Sequence, residues 1–301
     1  MGPDKLTPDI PRVDVGAYRA LGFVLVPRVF DAETIARMRA EADAMLERVL
    51  AAGNNVEATW KGGWREQLIG KGGNGDGVSS DRLSEMAAAV SSIHDVQYHS
   101  AYFMRIIMDE RLTGVVAQLI GDNVQLHHTK YHVKPPSVGA PFPMHQDYPY
   151  FPHESHTMLA AAVHIDAADV ENGCLCVVPG SNQLGPIPHQ TDGAYFLPLD
   201  EWPLERAVPC EANEGDVLIF SYLTVHGSYI NRSARPRRLL LLQMRSPFDR
   251  PVTKQHLSPG QGTMLRGINS RGLIAWEEPP SRRAVAYRRQ LNNPPLTTFM
   301  R

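Results

Sequence analysis

The stretch that decides the fold contains six short β-rich runs: VQLHHTKYHV (124–133), MLAAAVHI (158–165), CLCVVPGS (174–181), AVPCE (207–211), DVLIFSYLTV (216–225) and RLLLLQM (238–244). Pro, Gly, Asn and Asp punctuate the intervals, and no long helical pattern separates the runs. Strands that follow one another without intervening helices are typical of an antiparallel sandwich or barrel. The sequence therefore predicts a mainly β fold.

Helical patterns precede these runs. After a predicted strand over residues 22–27, Asp31 is a good N-cap for the periodic segment AETIARMRAEADAML. Two further helices are predicted over residues 81–90 and 110–120, the second ended by Gly121. We expect these helices to pack as a layer on one outer face of the β core.

A single domain is predicted for residues 1–301. The chain has 301 residues, of which 43% are apolar, which is enough for one sizeable core. The predicted parts are a helical N-terminal layer over about residues 1–123, a β-barrel core over about 124–250 and a C-terminal extension over 251–301. Within the first part, repeated glycines in residues 60–80 break all periodicity and predict a mobile loop or lid.

The charge balance argues against several classes of partner. Lys and Arg total 30 against 32 acidic residues, so the formal charge of -2 lacks the basic field of nucleic-acid and anionic-membrane binders. The opening MGPDKLTPDIPRVD lacks the pattern of a secretory signal, and no later stretch is apolar enough to span a bilayer. We expect a cytoplasmic protein, a monomer or homodimer, that acts on a small molecule.

A candidate metal site begins in the segment PFPMHQDYPYFP (141–152). One residue separates His145 from Asp147, and an extended backbone would direct both side chains to the same face. His226 lies in the strand-like segment FSYLTVHGS, far enough along the chain to belong to a different strand. Two neutral imidazoles and one carboxylate form a facial triad, which suits Fe(II) and leaves three coordination positions open.

An arginine eleven residues after His226 strengthens this signal. Arg237 follows a turn rich in Asn, Ser and Pro, and a hairpin there would return it to the side of the metal. Its guanidinium could bind the distal carboxylate of 2-oxoglutarate in a bidentate manner, and Ser228 would add a hydroxyl on the face of His226. The keto-acid end would then chelate the iron. Arg235 is interpreted as part of a solvated basic turn.

An ordered set of segments extends the signal beyond these two motifs. The segments are GFVLVPRVFDAETIARMRAEADAML (22–46), HSAYFMRIIMDERLTGVVAQLIG (99–121), VKPP (133–136), HQDYPYFP (145–152), VENGCLCVVPGSN (170–182), GDVLIF (215–220) and HGSYINRSARPRRLLL (226–241). In these segments, which span most of the first 245 residues, the chain resembles the phytanoyl-CoA dioxygenase family of Fe(II)/2-oxoglutarate oxygenases.

The resemblance implies a fold and a set of site residues. The fold is a double-stranded β-helix, an antiparallel jelly-roll barrel of the cupin type, with the iron between its sheets. His145, Asp147 and His226 correspond to the iron ligands, and Arg237 with Ser228 corresponds to the residues that hold the distal carboxylate of 2-oxoglutarate. The implied cofactors are therefore Fe(II), 2-oxoglutarate and O₂.

Two positions bear on the details of the chemistry. Many relatives carry a tryptophan near the position of Ala162, and its absence here alters whatever that ring packs against. Family halogenases replace the carboxylate at the position of Asp147 by a small residue, so that chloride can occupy the vacated site. The carboxylate in this chain disfavours halogenation.

Alternation along LHHTKYHVK (126–134) places four polar side chains on one face of a predicted strand. They are His128, Lys130, His132 and Lys134. His128 and His132 are secondary candidates for the pocket, because ectoine hydroxylase-like relatives carry polar residues near co-substrate and substrate on the corresponding face. The alternative is that both are edge or surface residues. His153 and His156, in the loop after the HxD motif, are expected at the surface.

These inferences predict a 2-oxoglutarate-dependent dioxygenase that oxidises, and most simply hydroxylates, an unactivated C–H bond of a small metabolite in secondary metabolism. Desaturation, cyclisation or epimerisation would begin with the same hydrogen abstraction. One alternative is a metal-dependent cupin that does not activate oxygen, such as an isomerase or hydrolase; a dicarboxylate-binding arginine argues against it. Another is a non-catalytic binding module on the same fold.

Overall fold

We describe the protein from a computed structural model that defines residues 9–53, 91–137, 140–253 and 258–269. The described residues up to Gly267 belong to one compact unit. The predicted helix over residues 81–90 and the predicted lid over residues 60–80 lie outside the described residues. The single-domain assignment for residues 1–301 stays a prediction.

Four α-helices and thirteen strands are present in the described residues. The helices are α1 (Val15–Leu21), α2 (Ala32–Ala51), α3 (Ala101–Ile107) and α4 (Glu110–Ile120). The strands are β1 (Phe23–Val26), β2 (Ser91–His94), β3 (Val124–Lys134), β4 (Phe142–His145), β5 (Leu159–His164), β6 (Leu175–Val177), β7 (Gln190–Thr191), β8 (Tyr195–Phe196), β9 (Val208–Cys210), β10 (Val217–Ser221), β11 (His226–Ser228), β12 (Arg237–Arg245) and β13 (Met264–Arg266). No described helix has the length and apolar character needed to cross a membrane.

Two antiparallel sheets account for most of the strands. The larger sheet has seven strands in the order β1-β10-β5-β12-β3-β13, with β2 paired to β3. The smaller sheet has four strands in the order β4-β11-β6-β9, and β7 pairs with β8. This arrangement confirms the predicted mainly β architecture. The run predicted as one strand over residues 216–225 ends at Ser221, because a turn then carries the chain from the larger sheet into the smaller one.

The main core lies between the helices and one face of the larger sheet. Helix α2 starts at its N-cap Asp31, whose carboxylate accepts a hydrogen bond from the Thr34 amide at 2.7 Å, a contact that stabilises a helix by about 1 kcal/mol. Its buried residues recur at helical spacing: Ile35, Met38, Ala42, Met45 and Val49. They belong to the same apolar cluster as Leu240, Leu242 and Met244 of β12. The prediction that the helices pack on one outer face is confirmed.

A β-bulge in β3 controls which side chains face away from this core. Gln243 pairs with His128 and Met244 with Leu126, so His127 has no partner of its own on β12. The extra residue reverses the alternation along β3. Leu126 faces the helices, whereas His128, two residues later, faces the opposite side.

Candidate active site

Three side-chain donor atoms converge where β4 meets β11. His145 and His226 are direct cross-strand partners in the smaller sheet. The Nε2 atom of each imidazole lies 3.8 Å from Oδ1 of Asp147. The three ligand atoms lie within 4.8 Å of one another, and all three residues are buried. The structure thus brings together the three residues that the sequence predicts as a metal site.

Backbone carbonyls orient both imidazoles for metal binding. His145 Nδ1 lies 2.8 Å from the Pro143 carbonyl oxygen, and His226 Nδ1 lies 3.0 Å from that of Thr224. Because a carbonyl only accepts, each Nδ1 carries the proton and each Nε2 presents a lone pair to the site. Burial, with a smaller contribution from His226, lowers the pKa of His145 well below its usual value and keeps the ring neutral. Two imidazoles with fixed tautomers and one carboxylate fit a ferrous ion.

The backbone between His145 and Asp147 differs from the prediction. The sequence predicts an extended segment that alternates its side chains, but β4 ends at His145. Asp147 has helical dihedrals, φ -74° and ψ -17°, and precedes a 3₁₀ turn over Tyr148–Tyr150. The carboxylate therefore reaches the imidazoles because the chain turns, not because a strand continues.

Gln146, between the two ligands, anchors this turn, which sequence reasoning did not foresee. Its amide nitrogen donates to the carbonyl oxygens of Leu223 at 2.6 Å and Gly185 at 2.9 Å. Its side-chain oxygen accepts from the Ile187 amide at 2.9 Å, and its own backbone N–H donates to His189 Nε2 at 2.8 Å. The side-chain amide and the backbone N–H of this buried residue are thus satisfied, which holds the turn in one conformation.

A cavity of about 590 Å³ adjoins the three donor atoms and lies between the two sheets. Phe220 and Leu241 contribute to its wall from the larger sheet, and Leu175 contributes from the smaller one. Its polar lining comes mainly from the cavity-facing sides of β2, β3 and β12. These polar residues are Ser92, His94, His128, Lys130, His132, Arg237 and Gln243.

The polar face predicted on β3 divides into two parts. His128, Lys130 and His132 line the cavity. Lys134, at the end of the strand, is fully buried beside the cavity wall. Burial lowers the pKa of Lys130 to about 8, and Asp147 opposes this shift. The roles of His128 and His132 stay predictions.

Arg237 and Ser228 lie in the same cavity as the three donor atoms. Both are buried, although the sequence also allowed a solvated turn for the arginine cluster. Within the described part of the chain, Nε and Nη1 of Arg237 have no hydrogen-bond partner. Burial lowers the pKa of Arg237 to about 10, which still leaves it charged at neutral pH. A buried guanidinium with unsatisfied donors fits a carboxylate ligand.

A hydrogen-bonded chain extends from Asp147 to the exposed side chain of His94. Gln243 Nε2 lies 3.5 Å from Asp147 Oδ2, and Gln243 Oε1 lies 3.0 Å from His128 Nδ1. His128 Nε2 in turn lies 2.9 Å from His94 Nδ1. Since the amide donates to the carboxylate, its oxygen must accept from His128 Nδ1. The donors of Gln243 and His128 therefore both point toward Asp147, whose Oδ2 accepts from the amide while Oδ1 lies nearer the imidazoles.

We expect Gln243→Leu to lower the affinity for Fe(II) by about 10-fold, because removing a partner that orients a metal ligand costs roughly 10- to 100-fold. Competition with a chromogenic chelator measures this affinity. Gln125→Leu is the matched control, because Gln125 is also buried but donates to the Gly262 carbonyl and not to Asp147. Equal losses in the two variants would contradict the role of Gln243.

Three other side chains were expected at the surface, and two of them are exposed. The prediction of a surface position is wrong for His153, which is 2% exposed and stacks edge-on against His127. His156 is exposed as expected, with Nδ1 2.6 Å from the Tyr222 hydroxyl. The solvated position expected for Arg235 is confirmed, and its guanidinium pairs with Asp169 at 2.6 Å.

Comparison with known proteins identifies a family and several relatives. The family model described as phytanoyl-CoA dioxygenase (PhyH) matches residues 18–239. A probable alpha-ketoglutarate-dependent hypophosphite dioxygenase of Stutzerimonas stutzeri is 29% identical over 46% of this chain and 50% of its own length. The peroxisomal phytanoyl-CoA dioxygenase of Mus musculus is 28% identical over 74% of this chain and 64% of its own length. The chain thus spans between half and two thirds of the length of these relatives.

Solved structures share the fold. The carbocyclase SnoK from nogalamycin biosynthesis superposes with a TM-score of 0.62 at 22% identity, covering 85% of this chain and 93% of SnoK. EctD from S. alaskensis, solved with 2-oxoglutarate and 5-hydroxyectoine, gives a TM-score of 0.59 at 21% identity, covering 87% of this chain and 89% of EctD. These likenesses confirm the predicted jelly-roll fold.

Proposed function

This chain belongs to the phytanoyl-CoA dioxygenase family, and we propose that it is an Fe(II)- and 2-oxoglutarate-dependent dioxygenase that hydroxylates an unactivated C–H bond of a small metabolite. The observation that carries the proposal is the convergence of His145 Nε2, His226 Nε2 and Asp147 Oδ1 beside a buried arginine with unsatisfied donors. A metal centre alone would fit many reactions. A metal centre next to a carboxylate-binding cation fits a keto-diacid co-substrate.

His145, Asp147 and His226 would hold the iron. Bound iron and 2-oxoglutarate supply the oxidising chemistry, in which decarboxylation to succinate and CO₂ is coupled to the reduction of O₂. The protein directs both imidazoles at one point through the carbonyls of Pro143 and Thr224. It also keeps the carboxylate of Asp147 beside them, which argues for hydroxylation over halogenation.

Arg237 and Ser228 would bind the distal carboxylate of 2-oxoglutarate. Arg237 Nε and Nη1 are available as two donors, and Ser228 lines the same cavity. Because the guanidinium is buried, the attraction between its charge and a carboxylate is weakly screened. A neutral ligand would leave this charge uncompensated at a cost of several kcal/mol.

The rest of the cavity would receive the substrate. Phe220, Leu239 and Leu241 form apolar walls, and His128 and His132 offer hydrogen-bonding groups on strand β3, which pairs with β12. Such a mixture suits a metabolite with an apolar frame and a few polar substituents. The fold that this chain shares with SnoK supports a place in secondary metabolism.

A binding experiment under anaerobic conditions tests the proposal. We expect the purified protein to bind one Fe(II) per chain and, on addition of 2-oxoglutarate, to develop the weak visible charge-transfer band of the bidentate chelate. Succinate release on admission of O₂ and substrate would follow. Stoichiometric zinc that resists exchange, with no such band, would instead favour a cupin that does not activate oxygen.

A further inference from the structure

Lys134 is a buried cation outside the wall of the cavity. It ends β3 and is fully shielded from solvent. Its Nζ donates to Ser228 Oγ at 2.7 Å and also donates to the Tyr229 carbonyl oxygen. Its ammonium lies 5.4 Å from the centre of the Phe142 ring. Lys134 therefore contacts one of the two residues proposed to hold the co-substrate.

The hydrogen bond between Lys134 and Ser228 determines how the serine can be used. An ammonium group has three donors and no acceptor, so Ser228 Oγ must accept in this bond. A serine hydroxyl has a single hydrogen, and accepting from Lys134 leaves that hydrogen available for another partner. Ser228 faces the cavity, where its hydroxyl can donate to an anionic ligand.

Lys134 also places a second positive charge beside Arg237. The two residues are cross-strand partners in the register of β3 and β12. Burial and then the charge of Arg237 lower the pKa of Lys134 well below its usual value. A carboxylate bound beside Arg237 opposes both effects and favours the charged form of Lys134. The pair therefore favours a ligand with an additional negative charge at this end of the cavity.

We propose that Lys134 is a positioning residue that sets Ser228 as a hydrogen-bond donor to the distal carboxylate of the co-substrate and thereby makes the site selective for 2-oxo acids with a second carboxylate. The inference rests on the proposed function, because it assumes that Arg237 and Ser228 hold 2-oxoglutarate. It adds a residue that does not itself touch the co-substrate.

The test compares two ligands that differ only at the distal carboxylate. Calorimetric titration of the anaerobic Fe(II) protein gives dissociation constants for 2-oxoglutarate and for 2-oxovalerate, in which a methyl group replaces that carboxylate. Lys134→Met is expected to raise the dissociation constant for 2-oxoglutarate by about 10- to 100-fold. This is the loss of affinity typical of removing a hydrogen bond to a charged group. Its affinity for 2-oxovalerate should change by less than about 3-fold, because that ligand has no group to receive the serine hydrogen.

Two further variants separate positioning from folding. Lys134→Gln retains an N–H donor for Ser228 and should lose less 2-oxoglutarate affinity than Lys134→Met. In a Ser228→Ala background, the effect of Lys134→Met should be smaller than in the wild-type background, because the hydrogen bond through which part of it acts is gone. If Lys134→Met does not fold, Lys134→Gln and Ser228→Ala alone still give the comparison between the two ligands.

Several results would overturn the inference. They are an unchanged affinity for 2-oxoglutarate in Lys134→Met, equal losses for both ligands, or full additivity with Ser228→Ala. A wild-type protein that binds Fe(II) but neither keto acid would refute the proposed function itself. If the wild type binds 2-oxoglutarate and Lys134→Met binds it with the same affinity, only the role of Lys134 is refuted.

Discussion

His145→Ala and His226→Ala are each expected to abolish turnover and to weaken Fe(II) binding by more than about 100-fold, which exceeds the usual cost of losing an outer partner of a metal ligand. Each imidazole presents its Nε2 lone pair 3.8 Å from Asp147 Oδ1, so removing either one leaves a two-ligand site. The remaining imidazole and carboxylate retain neither the geometry nor the affinity needed to hold Fe(II) against water. Metal titration and succinate release measure the two effects.

Asp147→Gly tests the carboxylate separately. We expect this variant to lose hydroxylation while it retains weak binding of Fe(II) and of chloride, since both imidazoles keep their backbone partners. His99→Ala is the matched histidine control, because His99 is exposed and does not line the cavity. Normal hydroxylation by Asp147→Gly, or loss of metal from His99→Ala, would mean that the proposed ligands are wrong.

Arg237→Leu is expected to raise the dissociation constant for 2-oxoglutarate by roughly 30- to 1000-fold while Fe(II) binding stays nearly intact. The buried, bidentate, charge-assisted contact that it removes contributes on the order of 2–4 kcal/mol. Leucine also leaves the ligand carboxylate in a buried site without its main counter-charge. Anaerobic titration of the charge-transfer band with 2-oxoglutarate measures the change.

Arg235→Leu provides the control for the loss of a guanidinium from the same turn. Arg235 is exposed and pairs with Asp169, so the variant should bind 2-oxoglutarate like the wild type. An unchanged 2-oxoglutarate dependence in Arg237→Leu would assign the carboxylate to another cation. Arg245 is a poor substitute, because its Nη1 already donates to the carbonyl oxygens of Ser246 and Asp249 at 3.1 and 2.8 Å.

Local sequence patterns predicted much of the fold because the forces behind them act over a few residues. The N-cap Asp31, the end of α4 before Gly121 and the apolar run of β12 each depend on near neighbours. The spacing of His145 and Asp147, with His226 and Arg237 downstream, predicted a shared site, and the resemblance to a known family gave these residues their predicted roles. The resemblance to a known family supplied the topology, which local patterns leave open.

Pairing between distant strands decided how the site is built. The sequence predicts alternation along β3 but not the bulge at His127, which depends on the register with β12 and turns His128 toward the cavity. It also predicts an extended HxD segment, whereas the anchors of Gln146 on Leu223 and Gly185 bend the chain at Asp147. Both features depend on contacts with residues far along the chain, which local periodicity does not report.

The sequence by itself determined the β-rich core, its helical layer and the identity of the converging side chains, because periodicity and residue chemistry are local properties. Only the tertiary structure decided which polar groups are desolvated. His153 was expected at the surface and Lys134 received no role from the sequence, yet both are buried. Burial is a property of packing among distant segments, and it is packing that places Lys134 beside Ser228 and leaves two nitrogens of Arg237 facing a cavity that can receive a carboxylate.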